Sequence, residues 1–426
     1  MVLVLLPALL VFPLAQVLTS PAAVAAAKQK QPPLPFDEAG IRYGAIQATG
    51  PVEQLAMRLS RGEHALTPGN HGYLLPVLEA LQVPRSSQIL VFSKTSSDKD
   101  RISPRTPRAI YFNDEVYVAW IPGAQRLEIA ATDPRLGAVF YTASQKADAP
   151  ARLSRNDRCL ECHTSAANLG VPGFLARSVV TDDRGAVDWG RGLSYVSHRT
   201  PLSERWGGWY VCGSHGNQTH LGNLVGGADF DRQAREPNFR GNQANLSGLL
   251  DLSPYPEPTS DIVALLVFEH QCHTHNFISR LRQDTEATLE RGGAVEADTY
   301  LKGVAEAFIK HLLFIDEAPL SARVQGTSDF GRSFESRGPR DRQGRSLRQF
   351  DLQTRLFKHP CSYLIYSPAF DSLPRPMKLH LYGRLWKILG GTDPDPAFRK
   401  LAPETRQAIR EILADTKPDV PLYWTL

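Results

Sequence analysis

Two cysteines and a histidine form the most chemically specific segment of the sequence, Cys159-Leu-Glu-Cys162-His163. Residues three apart lie on one side of a helical turn, so both thiols can reach one partner while the adjacent imidazole turns toward it. Cys-x-x-Cys-His is the attachment pattern of a c-type haem, in which the thiols form thioethers and the histidine binds the iron. We therefore predict one covalent haem c on Cys159 and Cys162, with His163 as an iron ligand.

Two other uses of a Cys-x-x-Cys pair compete with haem attachment. A redox-active dithiol needs a thioredoxin-like βαβ setting, which the apolar pattern around Cys159 does not predict. A zinc site would need further ligands, and the sequence has no second Cys-x-x-Cys. The three remaining cysteines cannot all pair with one another, so we predict no disulfide framework, although they leave room for one bridge.

A second axial ligand would decide how such a haem is used. Methionine is typical of small electron carriers. The chain has three methionines, and neither Met57 nor Met377 stands where a compact cytochrome domain places its ligand. Histidines are better supplied, because His215 and His220 lie in one predicted loop and others follow on a predicted helix. We therefore expect a histidine at this position.

The longest predicted helix carries His270, His273 and His275. At about 100° per residue, His270 falls on the apolar stripe, His273 lies at its border, and His275 lies on nearly the opposite side. We predict His270 as the second iron ligand, followed by His220; the alternative for each is a hydrogen-bonded core histidine. If the haem belongs to an enzyme, His215, His220 and His275 are the candidate catalytic acid–base residues.

Two tryptophans flank a pair of glycines just before the histidine loop, in Trp206-Gly-Gly-Trp209. Glycines allow the backbone to approach a flat macrocycle closely, so Trp206 and Trp209 are candidate cofactor-binding residues. The same pattern is equally typical of an aromatic core anchor at a turn, and the sequence leaves both interpretations open.

The elements that must position these residues predict an α+β fold. It has a small antiparallel β unit, then a loop-rich haem region, then a mainly α-helical C-terminal half. Apolar periodicity predicts helices at residues 52–60, 73–81, 261–282 (with Ser260 as N-cap), 299–314, 379–389 and 404–415. Short apolar runs and turn residues predict strands at 88–92, 109–112, 115–121, 127–130, 138–142 and 174–181, with a hairpin at 109–121. Residues 186–258 are predicted to be mostly loop.

We divide the chain into five segments. They are a signal peptide (1–27), a linker (28–45), a mixed helix and antiparallel β region (46–150), a haem-attachment and loop-rich region (151–258), and a mainly helical region packed on it (259–426). The signal assignment depends on an uncharged apolar run that ends in small residues before Lys28. It predicts a periplasmic or secreted protein, or a membrane-associated one if the segment stays uncleaved.

Composition disfavours several classes of function. The net charge is +4, and basic and acidic residues are interspersed. No basic stripe interleaved with aromatic residues and no zinc-finger spacing appears, so we predict no nucleic-acid partner. The sequence has no Gly-x-x-x-x-Gly-Lys loop and no Gly-x-Ser-x-Gly elbow, which disfavours ATP and esterase chemistry.

Several long segments can be compared with known proteins. They are Cys159–Ser165 with Gly170–Gly173, Arg205–Val211, Glu269–Gln271, Gly344–Arg348 with Phe350–Leu352, and Pro360–Tyr366. Together they resemble a family of exported bacterial proteins labelled cytochrome c domain-containing, over roughly Tyr111–Trp424. The resemblance implies haem binding, electron transfer and export. This chain departs from the family at Cys212 and at Leu221, where relatives more often have threonine and methionine, so a methionine ligand there is not available to it.

Three functions fit these observations. The first is an electron-transfer cytochrome that exchanges electrons with a redox partner protein or a small-molecule donor or acceptor. The second is a haem enzyme of the peroxidase or oxygenase type, with an open or weakly held sixth iron position; the size of the chain favours it, since about 100 residues suffice to enclose one haem. The third is a haem-based sensor or a structural haem protein.

Overall fold

The structure is a computed structural model that describes residues 43–96, 98–146 and 150–424. The predicted signal peptide and residues 28–42 of the predicted linker lie outside the described residues, so export stays a prediction. From Tyr43 onward the described residues belong to one compact unit. No helix in this part of the chain is long and apolar enough to cross a membrane.

Within the described residues, nine strands form two antiparallel sheets. They are β1 (Ile89–Val91), β2 (Arg108–Phe112), β3 (Val116–Trp120), β4 (Arg126–Asp133), β5 (Gly137–Ser144), β6 (Leu153–Arg155), β7 (Arg177–Val179), β8 (Leu193–Tyr195) and β9 (Trp209–Tyr210). The larger sheet has seven strands in the order β6-β5-β4-β3-β2-β1-β9, and β7 pairs with β8 separately. Most members of the central strands are β-branched, aromatic or small apolar residues, which pack well on a pleated surface.

Ten helices lie mostly in the second half of the described chain. They are α1 (Pro51–Ser60), α2 (Leu74–Ala80), α3 (Leu160–His163), α4 (Gly226–Arg235), α5 (Ile262–Glu290), α6 (Thr299–Leu312), α7 (Phe330–Ser336), α8 (Pro368–Asp371), α9 (Arg375–Leu389) and α10 (Pro403–Thr416). The predicted α+β fold, with its antiparallel sheet and its mainly helical C-terminal half, is confirmed.

The sheet is larger than the β unit that the sequence predicts at residues 86–145. Its two edge strands, β6 and β9, come from residues outside that range. The region predicted to be mostly loop, residues 186–258, also contains β8, β9 and α4. Only Gly226 is buried in α4, so that helix has no apolar stripe that periodicity could detect.

Helix α5 is the central element of the C-terminal half, and its first half is buried nearly all round. A helix that is apolar on all sides belongs in a protein core. Its N-cap is Asp261, whose carboxylate accepts hydrogen bonds from the backbone N–H groups of Val263 and Ala264. The predicted N-cap, Ser260, is wrong, because the Ser260 hydroxyl is bonded to the backbone of Leu90 and Tyr210 instead.

Candidate functional site

The Cys-x-x-Cys-His segment follows the edge strand β6. Residues 157–159 form a 3₁₀ turn that leads directly into α3, so Cys159 and Cys162 lie one helical turn apart. The five cysteines of the chain all lie in its described part and are free thiols there. Cys159 is half-buried and Cys162 is exposed. The two thiols are therefore close together and accessible from outside.

The imidazole of His163 is held in one orientation. Its Nδ1 lies 2.9 Å from the carbonyl oxygen of Gly173, so Nδ1 carries the proton and donates it. Burial lowers the pKa of His163 to about 4, so the ring is neutral at physiological pH. Nε2 then has a free lone pair and no hydrogen-bond partner among the described residues. This is how metal-ligating histidines are usually held, with one nitrogen oriented by a carbonyl and the other left for the metal.

The main chain around His163 is fixed by the same segment. Gly173 N–H donates to the carbonyl oxygen of His163 at 3.0 Å, and the side-chain amide of Asn168 donates to that oxygen as well. The Asn168 side-chain oxygen accepts from the backbone N–H of Ser165. The His163 ring also packs on Phe140 of β5, with ring centroids 4.7 Å apart.

Helix α5 anchors the segment that holds His163. The Asn276 side chain accepts from Phe174 N–H and donates to Phe174 C=O, both at 2.8 Å. A Cβ atom on Gly173 would lie 2.3 Å from Asn276 Oδ1, so only glycine fits at position 173. In the sequence, Gly173 stood out only as part of a family motif, and Asn168, Asn276 and Phe140 were missed.

One face of the sheet beside α3 is only half-buried. Ala119 of β3 is paired with Glu128 of β4, and Glu128 is paired with Thr142 of β5, so the three side chains form a row across this face. All three are half-buried, and so is Ala130, two residues along β4, whereas the intervening residues Leu127, Ile129 and Ala131 are buried. Alongside Glu128, the small side chains of this face leave it partly open next to Phe140, which contacts His163.

The charges around Cys159 disfavour the dithiol alternative. Burial, helped by Glu128 and Asp157, raises the pKa of Cys159 to about 11. Redox-active Cys-x-x-Cys motifs depend on a lowered thiol pKa, so this environment is the opposite of what they need. Among residues 43–96, 98–146 and 150–424, no group of three or more His, Cys, Asp or Glu side chains is arranged to hold a metal ion.

No family model, curated protein or solved structure matches this chain. The resemblance to the cytochrome c domain-containing proteins therefore stays a prediction.

The structure does not bring His270, the first predicted second ligand, to His163. His270 Nε2 lies 2.7 Å from the hydroxyl oxygen of Ser362, and its ring stacks on Phe314 with centroids 4.3 Å apart. Its hydrogen bonds and ring contacts share no residue with those of His163. Its role as an iron ligand is therefore not supported by any contact in the described chain.

His215 and His220 lie together but also make no contact with His163. Their ring centroids are 4.7 Å apart, and the ring of Trp206 lies 5.3 Å from that of His220. All three side chains are buried. His220 Nδ1 accepts from Gly222 N–H at 3.0 Å. Trp206 is thus part of an aromatic cluster around His220, which fits the core-anchor interpretation.

His275 and Trp209 lie nearer to the attachment segment. The ring of His275 contacts Phe174, the residue after Gly173, at 5.7 Å, and its Nε2 donates to the carbonyl oxygen of Asp114 at 3.0 Å. Trp209 donates from its indole nitrogen to the carbonyl oxygen of Arg177 at 2.8 Å. Both residues support the surroundings of the site rather than contact His163.

A chain of buried histidines that sequence reasoning did not find lies on the His270 side of α5. His198 Nε2 donates to Ile315 C=O at 2.8 Å, which leaves its Nδ1 to accept from His311 Nδ1 at 3.2 Å. His311 Nε2 lies 2.8 Å from the hydroxyl oxygen of Thr274, and the same hydroxyl lies 3.3 Å from His270 Nε2. The histidines come from distant parts of the chain, so no local sequence motif indicates the network.

Proposed function

We propose that this protein binds one haem c covalently through Cys159 and Cys162, with His163 as an axial ligand of the iron, and that it transfers electrons. The observation that carries the proposal is the orientation of His163. Its protonated Nδ1 is bonded to Gly173 C=O, and its Nε2 is left with a free lone pair. A neutral imidazole held in this way is the fifth ligand that a c-type haem needs.

The residues around His163 fit a porphyrin. Two free thiols lie one helical turn apart beside it. Ala119, Ala130 and Thr142 lie on a half-buried face of the sheet next to Phe140, which they share with the Arg108–Glu128 ion pair. Gly173 and Asn168 would hold the axial ligand still, since they fix both the ring and the main chain of His163. When bound, the haem supplies a one-electron couple between ferric and ferrous iron.

Electron transfer is favoured over the two alternatives because the attachment segment is exposed. Cys162 lies on the protein surface, so a redox partner protein or a small-molecule electron donor or acceptor can approach without entering the fold. We also propose export, because haem attachment to Cys-x-x-Cys-His takes place on the outer side of the bacterial membrane. After export, the protein is periplasmic or secreted, or it stays associated with the membrane if its N-terminal segment is not cleaved.

Mass spectrometry of the purified chain tests the attachment. The protein is produced in a bacterial strain that can install c-type haem, and we expect the mass of one haem in addition to that of the chain. A C159A/C162A variant is expected to lack this mass. Cys361→Ala is the matched control, because Cys361 is buried and distant in sequence from the motif; it is expected to keep the haem. A wild-type chain without added mass would overturn the proposal.

Absorption spectroscopy separates electron transfer from the alternatives. A six-coordinate, low-spin spectrum that carbon monoxide does not change would support electron transfer, because it requires a second axial ligand on the iron. A high-spin spectrum that binds carbon monoxide would contradict electron transfer and support an enzyme or a sensor. Turnover of peroxide would then distinguish the enzyme from the sensor.

A further inference from the structure

A small cavity lies on the His270 side of α5, and none of its lining residues contacts the His163 ring. Its volume is about 20 Å³, which is enough for one water molecule. Buried residues form its inner wall and half-buried residues form its mouth; the wall includes His198, Arg205 and His270, and the mouth consists of Glu317, Ala318 and Leu320. The cavity therefore connects the surface with the buried histidines.

His270 has one ring nitrogen to offer to this cavity. The residue is 3% exposed, and its Nδ1 has no hydrogen-bond partner among the described residues. Its Nε2 lies 2.7 Å from Ser362 Oγ and 3.3 Å from Thr274 Oγ1, and neither of these two residues lines the cavity. Nδ1 is therefore the polar atom that the ring has left for the cavity. A buried polar atom without a partner is costly, so a ligand that bonds to Nδ1 would be stabilised here.

Two other polar side chains of the lining have unused hydrogen-bonding capacity. Arg205 has five N–H donors and uses four of them, one toward Glu269 and three toward main-chain carbonyl oxygens of the preceding loop. One carboxylate oxygen of Glu317 accepts from Leu356 N–H at 2.9 Å, and the other makes no hydrogen bond or ion pair with a described residue. The lining thus offers a donor, an acceptor and a ring nitrogen.

We propose that one ordered water molecule occupies this cavity and joins His270 Nδ1 to the carboxylate of Glu317. The water accepts from the remaining N–H of Arg205 and donates its two hydrogens to Nδ1 and to the second oxygen of Glu317. Buried waters usually make about three hydrogen bonds, and this arrangement supplies three. His270 then carries its proton on Nε2 and donates it to Ser362.

Charge and size favour water over an ion or an organic ligand. Arg205 and Glu269 form an ion pair at 3.0 Å, so the carboxylate of Glu317 disfavours an anion in the cavity, while the guanidinium of Arg205 disfavours a cation. A molecule of several heavy atoms is larger than the cavity. The water links a carboxylate at the surface to the chain of buried histidines, because His270 is the member of that chain that lines the cavity with a free nitrogen.

The first test is a crystal structure of the full chain at a resolution that shows ordered water. We expect density for one water whose oxygen lies within about 3.2 Å of both His270 Nδ1 and the Glu317 carboxylate. A cavity without such density, or a water that bonds to neither group, would overturn the proposal.

The second test is a double-mutant cycle of His270→Phe and Glu317→Met, measured by urea denaturation. The two side chains are not bonded to each other, so they are coupled only if they share a ligand. Once His270→Phe has removed one acceptor of the water, Glu317→Met should change the equilibrium constant of unfolding by a factor at least about threefold smaller than it does in the wild type. Equal effects in the two backgrounds would count against a shared water.

Glu335→Met is the matched control for Glu317→Met. Glu335 is also half-buried and also accepts a main-chain N–H, that of Phe350 at 2.7 Å, but it does not line the cavity. Its effect should be the same with and without His270→Phe, and a coupling as large as that of Glu317 would show that the cycle reports a general loss of packing. If His270→Phe does not fold, the wild-type crystal structure still decides whether the water is bound.

Discussion

The imidazole Nδ1 of His163 donates to the carbonyl oxygen of Gly173 across 2.9 Å, while the N–H of Gly173 donates back to the carbonyl oxygen of His163 at 3.0 Å. The two residues therefore hold each other twice, once through the ring and once through the main chain. This reciprocal contact fixes the orientation of His163, the last residue of α3, and leaves one ring nitrogen free.

Gly173→Ala is expected to destabilise the protein and to disturb the haem site. The new Cβ atom would lie 2.3 Å from Asn276 Oδ1, so the segment must shift, at a cost of about 1–3 kcal/mol in the free energy of unfolding. Urea denaturation measures that cost, and the haem absorption spectrum reports whether His163 has moved. Gly303→Ala is the control, because Gly303 lies within α6 with no atom near its Cβ position; it should be stabilising by about 0.5–1 kcal/mol. Equal stabilities of Gly173→Ala and wild type would contradict the tight fit.

Asn276→Asp keeps one of the two hydrogen bonds that Asn276 of α5 makes to Phe174 and removes the other. The remaining carboxylate oxygen can still accept from Phe174 N–H, but it cannot donate to Phe174 C=O. Because Asn276 is buried, the unpaired acceptors should reduce the free energy of unfolding by about 1–3 kcal/mol. The loss should be smaller at pH 4 than at pH 8, because a protonated aspartic acid can donate again. A loss of stability that does not depend on pH would contradict the role of the two hydrogen bonds between Asn276 and Phe174.

Arg205 and Glu269 form a buried ion pair at 3.0 Å, with side chains 8% and 5% exposed. Burial raises the pKa of Glu269 to about 7, although Arg205 lowers it. Arg205→Met leaves this carboxylate buried without its cation, and we expect a loss of about 3–5 kcal/mol at pH 8. The double variant R205M/E269Q should recover part of the stability, because no charge stays buried. Chemical denaturation of both variants at the same pH decides the matter; a double variant no more stable than the single one would contradict a charge-based cause.

The buried histidines predict a loss of stability in acid. Burial lowers the pKa of His198 and of His273 to about 4, and it lowers the pKa of His270 and of His311 well below the ordinary value. An unfolded histidine takes up its proton near pH 6.5. Between about pH 6.5 and pH 4 the unfolded chain therefore binds more protons than the folded chain, so the free energy of unfolding falls as the pH falls.

His311→Gln should flatten this dependence. Each histidine that stays neutral in the folded state adds up to about 1.4 kcal/mol per pH unit to the slope below pH 6, and the variant removes one of them. Denaturation curves from pH 8 to pH 4.5 measure the slope, and the data above pH 7.5, where wild type and variant should run parallel, serve as the internal control. Parallel curves over the whole range would show that His311 binds a proton in the folded state.

The predictable part of the site is its local part. The spacing of Cys159, Cys162 and His163 is contained in five consecutive residues, and a helical turn brings them together wherever the segment lies. The hairpin of β2 and β3 is equally local, because two continuous apolar runs flank the turn at Asn113. The long helix α5 is predicted for the same reason, although the predicted N-cap, Ser260, lies one residue before the observed N-cap, Asp261.

What lies around His163 was decided by the tertiary structure. Asn276 is 102 residues away from Phe174 in the sequence, and they meet only because α5 packs against the segment that holds His163. His270 and His220 look like ligands in the sequence because histidines and apolar stripes can be read there, whereas the tertiary contacts that hold them apart from the surroundings of His163 cannot. The sequence by itself determined that two thiols and an imidazole stand together in an α+β protein. Only the fold decided which nitrogen of His163 stays free, because hydrogen bonds between distant segments depend on packing that no local pattern encodes.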